Sequence, residues 1–332
     1  MRESQDIARS VPARVLLLLV SVLLVVPVAV SARRAALAAA FLVEFLSDGR
    51  VRALSGDGPR PVVRAAAPGI DVYAASRYGP GVPLVLVHGY APAGKDEPRL
   101  RRAAALFAGA GFDVAVPTIP GLTRGRLRAP DVAPVVAALE LRDEPTAVVS
   151  VSVGAGPALL AAAHPRVRDR VAVVLSVGGY ASARELLRFY LVGEYAWDGI
   201  HGRARHDPAL VRAFLDANAD LVAAVGGVEA GDPARAAALL DAPPPPLAAL
   251  LDALSPERVA RDIRARLLLV HGRDDVAVPY TESLRLAAAR PARTRVVLVG
   301  VLDHVDPGRR LYAGVRDLLA LWVVVYATFA SV

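Results

Sequence analysis

The sequence predicts an α/β protein in which helices flank a mostly parallel sheet and a helical cap interrupts it. Past Gly49, strand-like and helix-like stretches alternate, and several strand-like runs are apolar without a break. Unbroken apolar runs are typical of strands covered on both faces, as in parallel sheets. Residues 178–263 break this alternation and contain no convincing strand. We therefore expect one sheet with a single helical insertion.

Short apolar runs bounded by Gly and Pro predict seven strands. They divide the chain into an N-terminal segment (1–48), a first core part (49–177), a cap (178–263) and a second core part (264–332). The predicted strands are Ile70–Ala74, Leu84–Val87, Val114–Val116, Ala147–Val151, Val171–Leu175, Leu267–Val270 and Val296–Val299.

Composition excludes several classes of protein. A chain of 332 residues that is 55% apolar and 21% charged is globular rather than disordered. It has no cysteine, which excludes disulfide frameworks, thiolate metal sites and a cysteine nucleophile. The formal charge is +7, but the basic residues are spread along the chain without a dense block. We therefore expect no nucleic-acid partner.

The N-terminal segment contains a long apolar run. Residues from Val15 to Ala32 carry no charge, with Arg14 before them and Arg33-Arg34 after them. Eighteen residues reach across a bilayer core as a helix, so the sequence favours a retained single-pass membrane anchor. Arginines on both sides of the run leave its orientation in the membrane open. The alternative is a secretory signal cleaved after the small residues Ser31-Ala32.

Helices are predicted in the cap and at the C-terminus. The cap has helix-like stretches at Ser182–Leu191 and Pro208–Val225, and the proline run Pro243–Pro246 indicates a stiff connector. Residues 311–332 indicate a closing helix that packs on the sheet.

Ser152 is the candidate nucleophile. It stands in Ser150-Val151-Ser152-Val153-Gly154, between a predicted strand and a helix rich in alanine. A nucleophile elbow requires this context, because small residues two positions away on either side let strand and helix approach closely. The other interpretation is an ordinary turn with a serine cap.

A serine hydroxyl needs a base and an orienting carboxylate to act as a nucleophile. Of the six histidines, His304 follows the last predicted strand, in a loop at the carboxyl edge of the sheet where sites of α/β proteins lie. Asp274 and Asp275 both follow the preceding strand, and either could orient the base.

These residues resemble the α/β-hydrolase superfamily from about Ile70 to Tyr326. The chain order Ser, Asp, His matches its arrangement. Its H-G motif matches His88-Gly89, and its G-x-x-x-H matches Gly300–His304. Its H-G-x-x-D-x-x-V-P motif aligns with His271–Pro279 and selects Asp275. The resemblance also implies that the cap lies between the sixth and seventh strands of the superfamily's sheet. Whether the branch is that of dienelactone hydrolases or of esterases stays open.

The resemblance implies a serine hydrolase that cleaves a carboxylic ester or related acyl bond. It further implies that Ser152 attacks the carbonyl, that His304 is the base and Asp275 orients it, and that the backbone N–H groups of Tyr90 and Val153 form the oxyanion hole. No metal or cofactor is needed. The cap contains aromatic side chains that either line an acyl pocket or hold the cap together, namely Phe189, Tyr190, Tyr195, Trp197 and Phe214.

The expected partner is a small acyl substrate, with a lipid-like one reaching the site from a membrane as a further hypothesis. Thioester, lactone and amide substrates stay open, as does the oligomeric state. The alternative function is a catalytically silent fold that serves as a binding or scaffold module at the membrane.

Overall fold

A computed structural model describes residues 13–56, 61–75, 81–203, 208–224, 233–300, 302 and 314–332. In the first helix, side chains are described from residue 27 onward. The strands within these ranges are β1 (Val63–Ala67), β2 (Ile70–Tyr73), β3 (Val82–Val87), β4 (Phe112–Pro117), β5 (Thr146–Val151), β6 (Val171–Val177), β7 (Glu194–Trp197), β8 (Ile200–Arg203), β9 (Arg266–Gly272) and β10 (Thr294–Val299).

Eight of these strands form one sheet in the order β1-β2-β4-β3-β5-β6-β9-β10. The pairs β1–β2 and β2–β4 are antiparallel, and every other neighbouring pair is parallel. All seven predicted strands are therefore confirmed, with ends shifted by two residues or fewer. The edge strand β1 was not predicted, because its Val-Arg-Ala-Ala-Ala sequence is mostly exposed and rich in alanine, which is depleted in strands.

The helices are α1 (Ala13–Leu46), α2 (Pro98–Gly109), α3 (Val132–Leu139), α4 (Ala155–Ala163), α5 (Ala183–Val192), α6 (Pro208–Ala217), α7 (Ala219–Ala224), α8 (Pro233–Asp241), α9 (Pro245–Ala253), α10 (Thr281–Ala289) and α11 (Val315–Ala330). One face of the sheet packs against α1, α2 and α11. The other face packs against α3, α4 and α10, and the helices inserted between β6 and β9 continue this second core. The fold is a mostly parallel α/β sheet with flanking helices.

The inserted segment differs from its prediction in three places: a hairpin, the proline run and a broken helix. A two-stranded hairpin, β7–β8, lies where no strand was expected. Its turn is Asp198-Gly199, with φ values of +45° and +78°, a dipeptide that favours the two-residue turns of hairpins. The proline run is a connector only in its first half, because Pro245 begins α9, and proline suits the first turn of a helix.

The helix predicted for Pro208–Val225 is broken at Asn218. The Asn218 side chain is buried and makes three hydrogen bonds with backbone groups. Its Oδ1 accepts from Leu127 N–H at 3.0 Å, and its Nδ2 donates to the carbonyl oxygens of Gly125 and Phe214. These contacts join the cap to the loop after β4 and interrupt the helix between α6 and α7.

The helix α1 packs against α11 beside the sheet. Trp322 Nε1 donates to Ala35 O at 3.0 Å, and the ring of Phe41 lies 4.5 Å from that of Phe107 and 6.0 Å from that of Phe329. The closing helix predicted at the C-terminus is confirmed as α11, which contacts β6, β9 and β10. Among the described residues, no helix has both the length and the hydropathy needed to cross a bilayer.

Candidate active site

The predicted site residues follow parallel strands that end at one edge of the sheet. The His88-Gly89 loop follows β3, Ser152 follows β5, and Asp275 follows β9. In the sheet, β3 and β6 flank β5, and β9 lies beyond β6. The carboxyl ends of these strands form the crevice in which α/β proteins place their sites.

Ser152 has a strained backbone conformation. Its φ is +53°, a left-handed value that is unfavourable for a residue with a Cβ atom. Asp48 and Asp198 are the other non-glycine residues with positive φ in the described part of the chain, and both lie in surface turns. Ser152 is instead the first residue of the 3₁₀ turn (Ser152–Gly154) that connects the buried strand β5 to α4. Backbone strain at such a junction is a feature of functional sites.

Close packing around Ser152 explains the small residues near it. A Cβ atom on Gly154 would overlap the carbonyl oxygen of His88. A Cβ atom on Gly89 would lie 2.9 Å from the Cβ of Ser152. The turn after β5 therefore lies directly against the loop after β3, and larger residues at these two positions would separate them.

Ser150, at the first small position, is fully buried. Its hydroxyl has no hydrogen-bond partner among the described residues. We expect Ser150→Ala to leave the free energy of unfolding unchanged or to raise it by about 1 kcal/mol, because an unsatisfied buried hydroxyl is removed. Ser255→Ala is the control, since Ser255 Oγ donates to Leu251 O and accepts from Ala183 N–H.

Urea denaturation measures both variants. Ser255→Ala should lower the free energy of unfolding by about 1–3 kcal/mol, because removal of the hydroxyl leaves the buried N–H of Ala183 without an acceptor. A loss of similar size for Ser150→Ala would contradict the prediction.

His88 fixes the orientation of the peptide unit that joins Gly89 to Tyr90. Its Nε2 accepts a hydrogen bond from Ile119 N–H at 2.9 Å, so the proton of the neutral ring lies on Nδ1, which donates to Gly89 O at 2.7 Å. Burial lowers the pKa of His88 and favours this neutral form. In a trans peptide, N–H and C=O point in opposite directions. Holding Gly89 O therefore also fixes the direction of Tyr90 N–H.

The structure distinguishes Asp275 from Asp274. Asp275 is buried, whereas Asp274 is exposed. Asp275 Oδ1 accepts from Ala277 N–H at 2.8 Å and from Val278 N–H at 2.9 Å. Its Oδ2 lies 3.4 Å from His271 Nε2. The loop after β9 thus holds the carboxylate of Asp275 in one orientation.

Two further side chains brace this loop. His271 is fully buried, with Nδ1 2.7 Å from Ser283 Oγ and Nε2 2.9 Å from Val278 O. The Tyr190 hydroxyl of α5 donates to Ala277 O at 2.9 Å. The first helix of the inserted segment therefore contacts the residue whose N–H binds Asp275.

His304 lies outside the described residues. Leu302, two positions before it in the sequence, is described and buried. A Cβ atom on Gly272, at the end of β9, would overlap the carbonyl oxygen of Leu302. The chain at Leu302 thus passes next to the loop that carries Asp275, while the role of His304 stays a prediction.

Ser152 lines a cavity of about 580 Å³. The loop after β3 contributes His88, Gly89, Tyr90 and Ala91, and the side chain of Tyr90 is 57% exposed. The inserted segment contributes Tyr190 and three residues of α6. A further wall is formed by the last turn of α1 together with residues of α2. The α6 residues are Ala213, Phe214 and Ala217; those of the further wall are Phe45, Leu100 and Ala103.

The cap aromatics divide into two groups. Tyr190 and Phe214 line the cavity, with stacked rings 4.2 Å apart. Phe189 is buried in the core, and Tyr195 and Trp197 lie in the hairpin away from Ser152. Phe45 was not foreseen as a cavity residue, because nothing in the sequence relates it to segments more than a hundred positions away.

Comparison with known proteins bears on the fold. No family model matches the chain, and no curated protein matches it. Among solved structures, the chain is similar to a 2,6-dihydroxy-pseudo-oxynicotine hydrolase, with 18% identity over 87% of this chain and 78% of that one and a TM-score of 0.52.

Two peptidases are similar over less of their own length. An acylaminoacyl peptidase of Pyrococcus horikoshii has 15% identity over 82% of this chain and 41% of its own, with a TM-score of 0.52. A puromycin-hydrolyzing peptidase of Mycobacterium tuberculosis has 18% identity over 81% and 39%, with a TM-score of 0.50. The chain thus spans about two fifths of these peptidases, and at such identities the similarity establishes the fold alone.

Proposed function

We propose that this chain, which has the α/β-hydrolase fold, is a serine hydrolase that cleaves a carboxylic ester or related acyl bond through an acyl-enzyme on Ser152. The observation that carries the proposal is the left-handed φ of +53° at Ser152, in a turn that opens into a cavity. Strain of this kind persists only where the surrounding structure enforces it. Here the loop after β3 packs closely against the turn after β5, at Gly89 and Gly154, and this packing holds Ser152 in its conformation.

In the proposed reaction, Ser152 Oγ attacks the acyl carbonyl and its proton passes to His304. The imidazolium then gives this proton to the leaving group, whose bond to the acyl carbon breaks. Water enters, His304 takes a proton from it, and the water oxygen attacks the acyl carbon. The bond between the acyl carbon and Ser152 Oγ then breaks, His304 returns the proton to Oγ, and the acid is released. Asp275 acts by orienting the imidazole and stabilising its positive charge.

The negative charge that develops on the carbonyl oxygen requires hydrogen-bond donors. We assign this role to the backbone N–H groups of Val153 and Tyr90. The support for Val153 is its place directly after Ser152 in the turn. The support for Tyr90 is the hydrogen bond from His88 to Gly89 O, which fixes the peptide unit of Tyr90.

A fluorophosphonate probe tests the proposal, because it phosphonylates an activated serine and releases fluoride. We expect purified protein to be labelled, with the modification mapped to Ser152 by mass spectrometry. Ser152→Ala should abolish labelling and His304→Ala should slow it by about three orders of magnitude or more. Ser150→Ala is the matched control, two residues before Ser152 and near the end of β5, and should be labelled like the wild type.

Circular dichroism and thermal melting establish that each variant is folded. Absence of labelling in folded wild-type protein would refute the proposal and favour a catalytically silent binding module. Labelling at another serine would refute the assignment of Ser152. Once labelling is found, a panel of matched ester, thioester, lactone and amide substrates identifies which acyl bond is cleaved.

A further inference from the structure

The last turn of α1 forms part of the wall of the cavity that contains Ser152. Phe45 lies in this turn, and Leu100 and Ala103 of α2 line the same cavity. This wall belongs to a rigid core, because the Phe45 ring stacks on that of Phe41 at 6.0 Å, and Phe41 contacts Phe107. An N-terminal helix that is remote in sequence from Ser152 thus contributes to its surroundings.

The wall consists of hydrocarbon. The side chains of Phe45, Leu100 and Ala103 carry no hydrogen-bonding group, and Leu86 of β3 adds a fourth apolar surface. The charged lining residues on this side, Glu97 and Arg99, belong to the start of α2. A surface of this kind recognises a ligand by burial of apolar area rather than by hydrogen bonds.

The opposite lining differs in chemistry. In the inserted segment, the rings of Tyr190 and Phe214 stack at 4.2 Å, and Tyr190 donates its hydroxyl to Ala277 O. Arg124 adds a charge to the lining, and the ring of Tyr90 lies 3.4 Å from where a Cβ atom on Gly125 would be. This side presents stacked aromatic rings and the charge of Arg124, whereas the α1–α2 side presents aliphatic and aromatic carbon except at Glu97 and Arg99, at the start of α2.

We propose that the cavity binds the aliphatic acyl chain of the substrate against the α1–α2 wall, so that the N-terminal helix takes part in selecting chain length. This inference rests on the proposed serine hydrolase function and names its substrate class. A cavity of 580 Å³ is of the size that holds small molecules, which favours acyl chains of medium length. Each methylene buried against this wall should raise kcat/KM about fourfold, until the space along the wall is filled.

Two alanines provide matched variants. Ala103 of α2 and Ala217 of α6 are both half-buried, both helical and both part of the cavity lining. Leucine at either position removes similar volume from opposite sides. We expect Ala103→Leu to lower kcat/KM about tenfold for p-nitrophenyl octanoate and decanoate, with acetate changed less than twofold. Ala217→Leu should leave the dependence on chain length unchanged.

Phe45→Ala should have the opposite effect on the preferred chain length. Removing the ring enlarges the cavity on the α1–α2 side, so we expect the preferred ester to shift from medium chains toward palmitate. The inference is overturned if Ala217→Leu, and not Ala103→Leu, shortens the preferred chain, or if both variants keep the wild-type profile. A wild-type rate that does not depend on chain length also overturns it.

A binding measurement separates this inference from the proposed function. Calorimetric titration of folded Ser152→Ala protein with decanoate needs no chemistry. We expect binding that weakens about tenfold when Ala103→Leu is added and changes little when Ala217→Leu is added. If decanoate binds in this manner while no serine is labelled, the proposed function fails and the acyl site stands. If labelling occurs at Ser152 and decanoate does not bind, the acyl site fails alone.

Discussion

An Asp275→Asn variant should lose about four orders of magnitude in kcat for any substrate that the wild type turns over. Asparagine keeps the shape and can still accept hydrogen bonds from Ala277 N–H and Val278 N–H, which lie 2.8 and 2.9 Å from Oδ1. It lacks the negative charge that stabilises an imidazolium. Its NH₂ group also favours the wrong tautomer of the base.

Asp274→Asn is the control. Asp274 precedes Asp275 in the same loop, but it is exposed. We expect its steady-state rates to stay within about threefold of the wild type, since surface substitutions away from a site have small effects. Equal losses in the two variants, or a loss confined to Asp274→Asn, would contradict the assignment of Asp275.

A Glu282→Ala variant should lose about 3–5 kcal/mol of the free energy of unfolding. Glu282 is 1% exposed, and its Oε2 accepts from Ala181 N–H at 3.0 Å and Ser182 N–H at 2.8 Å. Arg285 Nε donates to Oε1 at 3.1 Å. Alanine would leave two buried backbone donors and the Nε–H of Arg285 without their acceptor.

Glu185→Gln is the control for this prediction. Glu185 pairs with the same Arg285, at 3.7 Å, but its side chain is 21% exposed. We expect a change below about 1 kcal/mol, as for ion pairs that water can screen. Guanidinium denaturation followed by far-ultraviolet circular dichroism measures both variants. If Glu282→Ala unfolds like the wild type, the carboxylate does not hold the start of the inserted segment to the core.

The sequence predicts features that depend on neighbours along the chain. The seven strands are visible as apolar runs. The turn at Ser152 is visible because small residues, Ser150 and Gly154, flank it, and Gly154 must be small to fit against the loop after β3. The hairpin at Asp198-Gly199 also had a local signal, which the short and partly exposed strands around it obscured. Local patterns of this kind carry the fold and the position of the candidate nucleophile.

Features that depend on contacts between distant segments escape sequence reasoning. Phe45 lines the cavity of Ser152, and Glu282 binds the amides of Ala181 and Ser182, about a hundred positions away. Neither residue stands in a motif. The physical reason to choose Asp275 over Asp274 also lies in the tertiary structure, because burial of the Asp275 carboxylate depends on how the loop after β9 folds. His304 stays a prediction.

The two ends of α1 respond differently to shortening of the chain. Side chains 27–33 are exposed, whereas Ala38, Phe41 and Leu42 are buried against α2 and α11. A protein that begins at Arg33 therefore loses none of the buried contacts described for this helix. One that begins at Ser47 uncovers the rings of Phe107 and Phe329 and opens the cavity at Phe45. Removal of an N-terminal leader at Ala32 would thus be compatible with an intact α/β core, whereas a cut fourteen residues later would expose aromatic surface and promote aggregation.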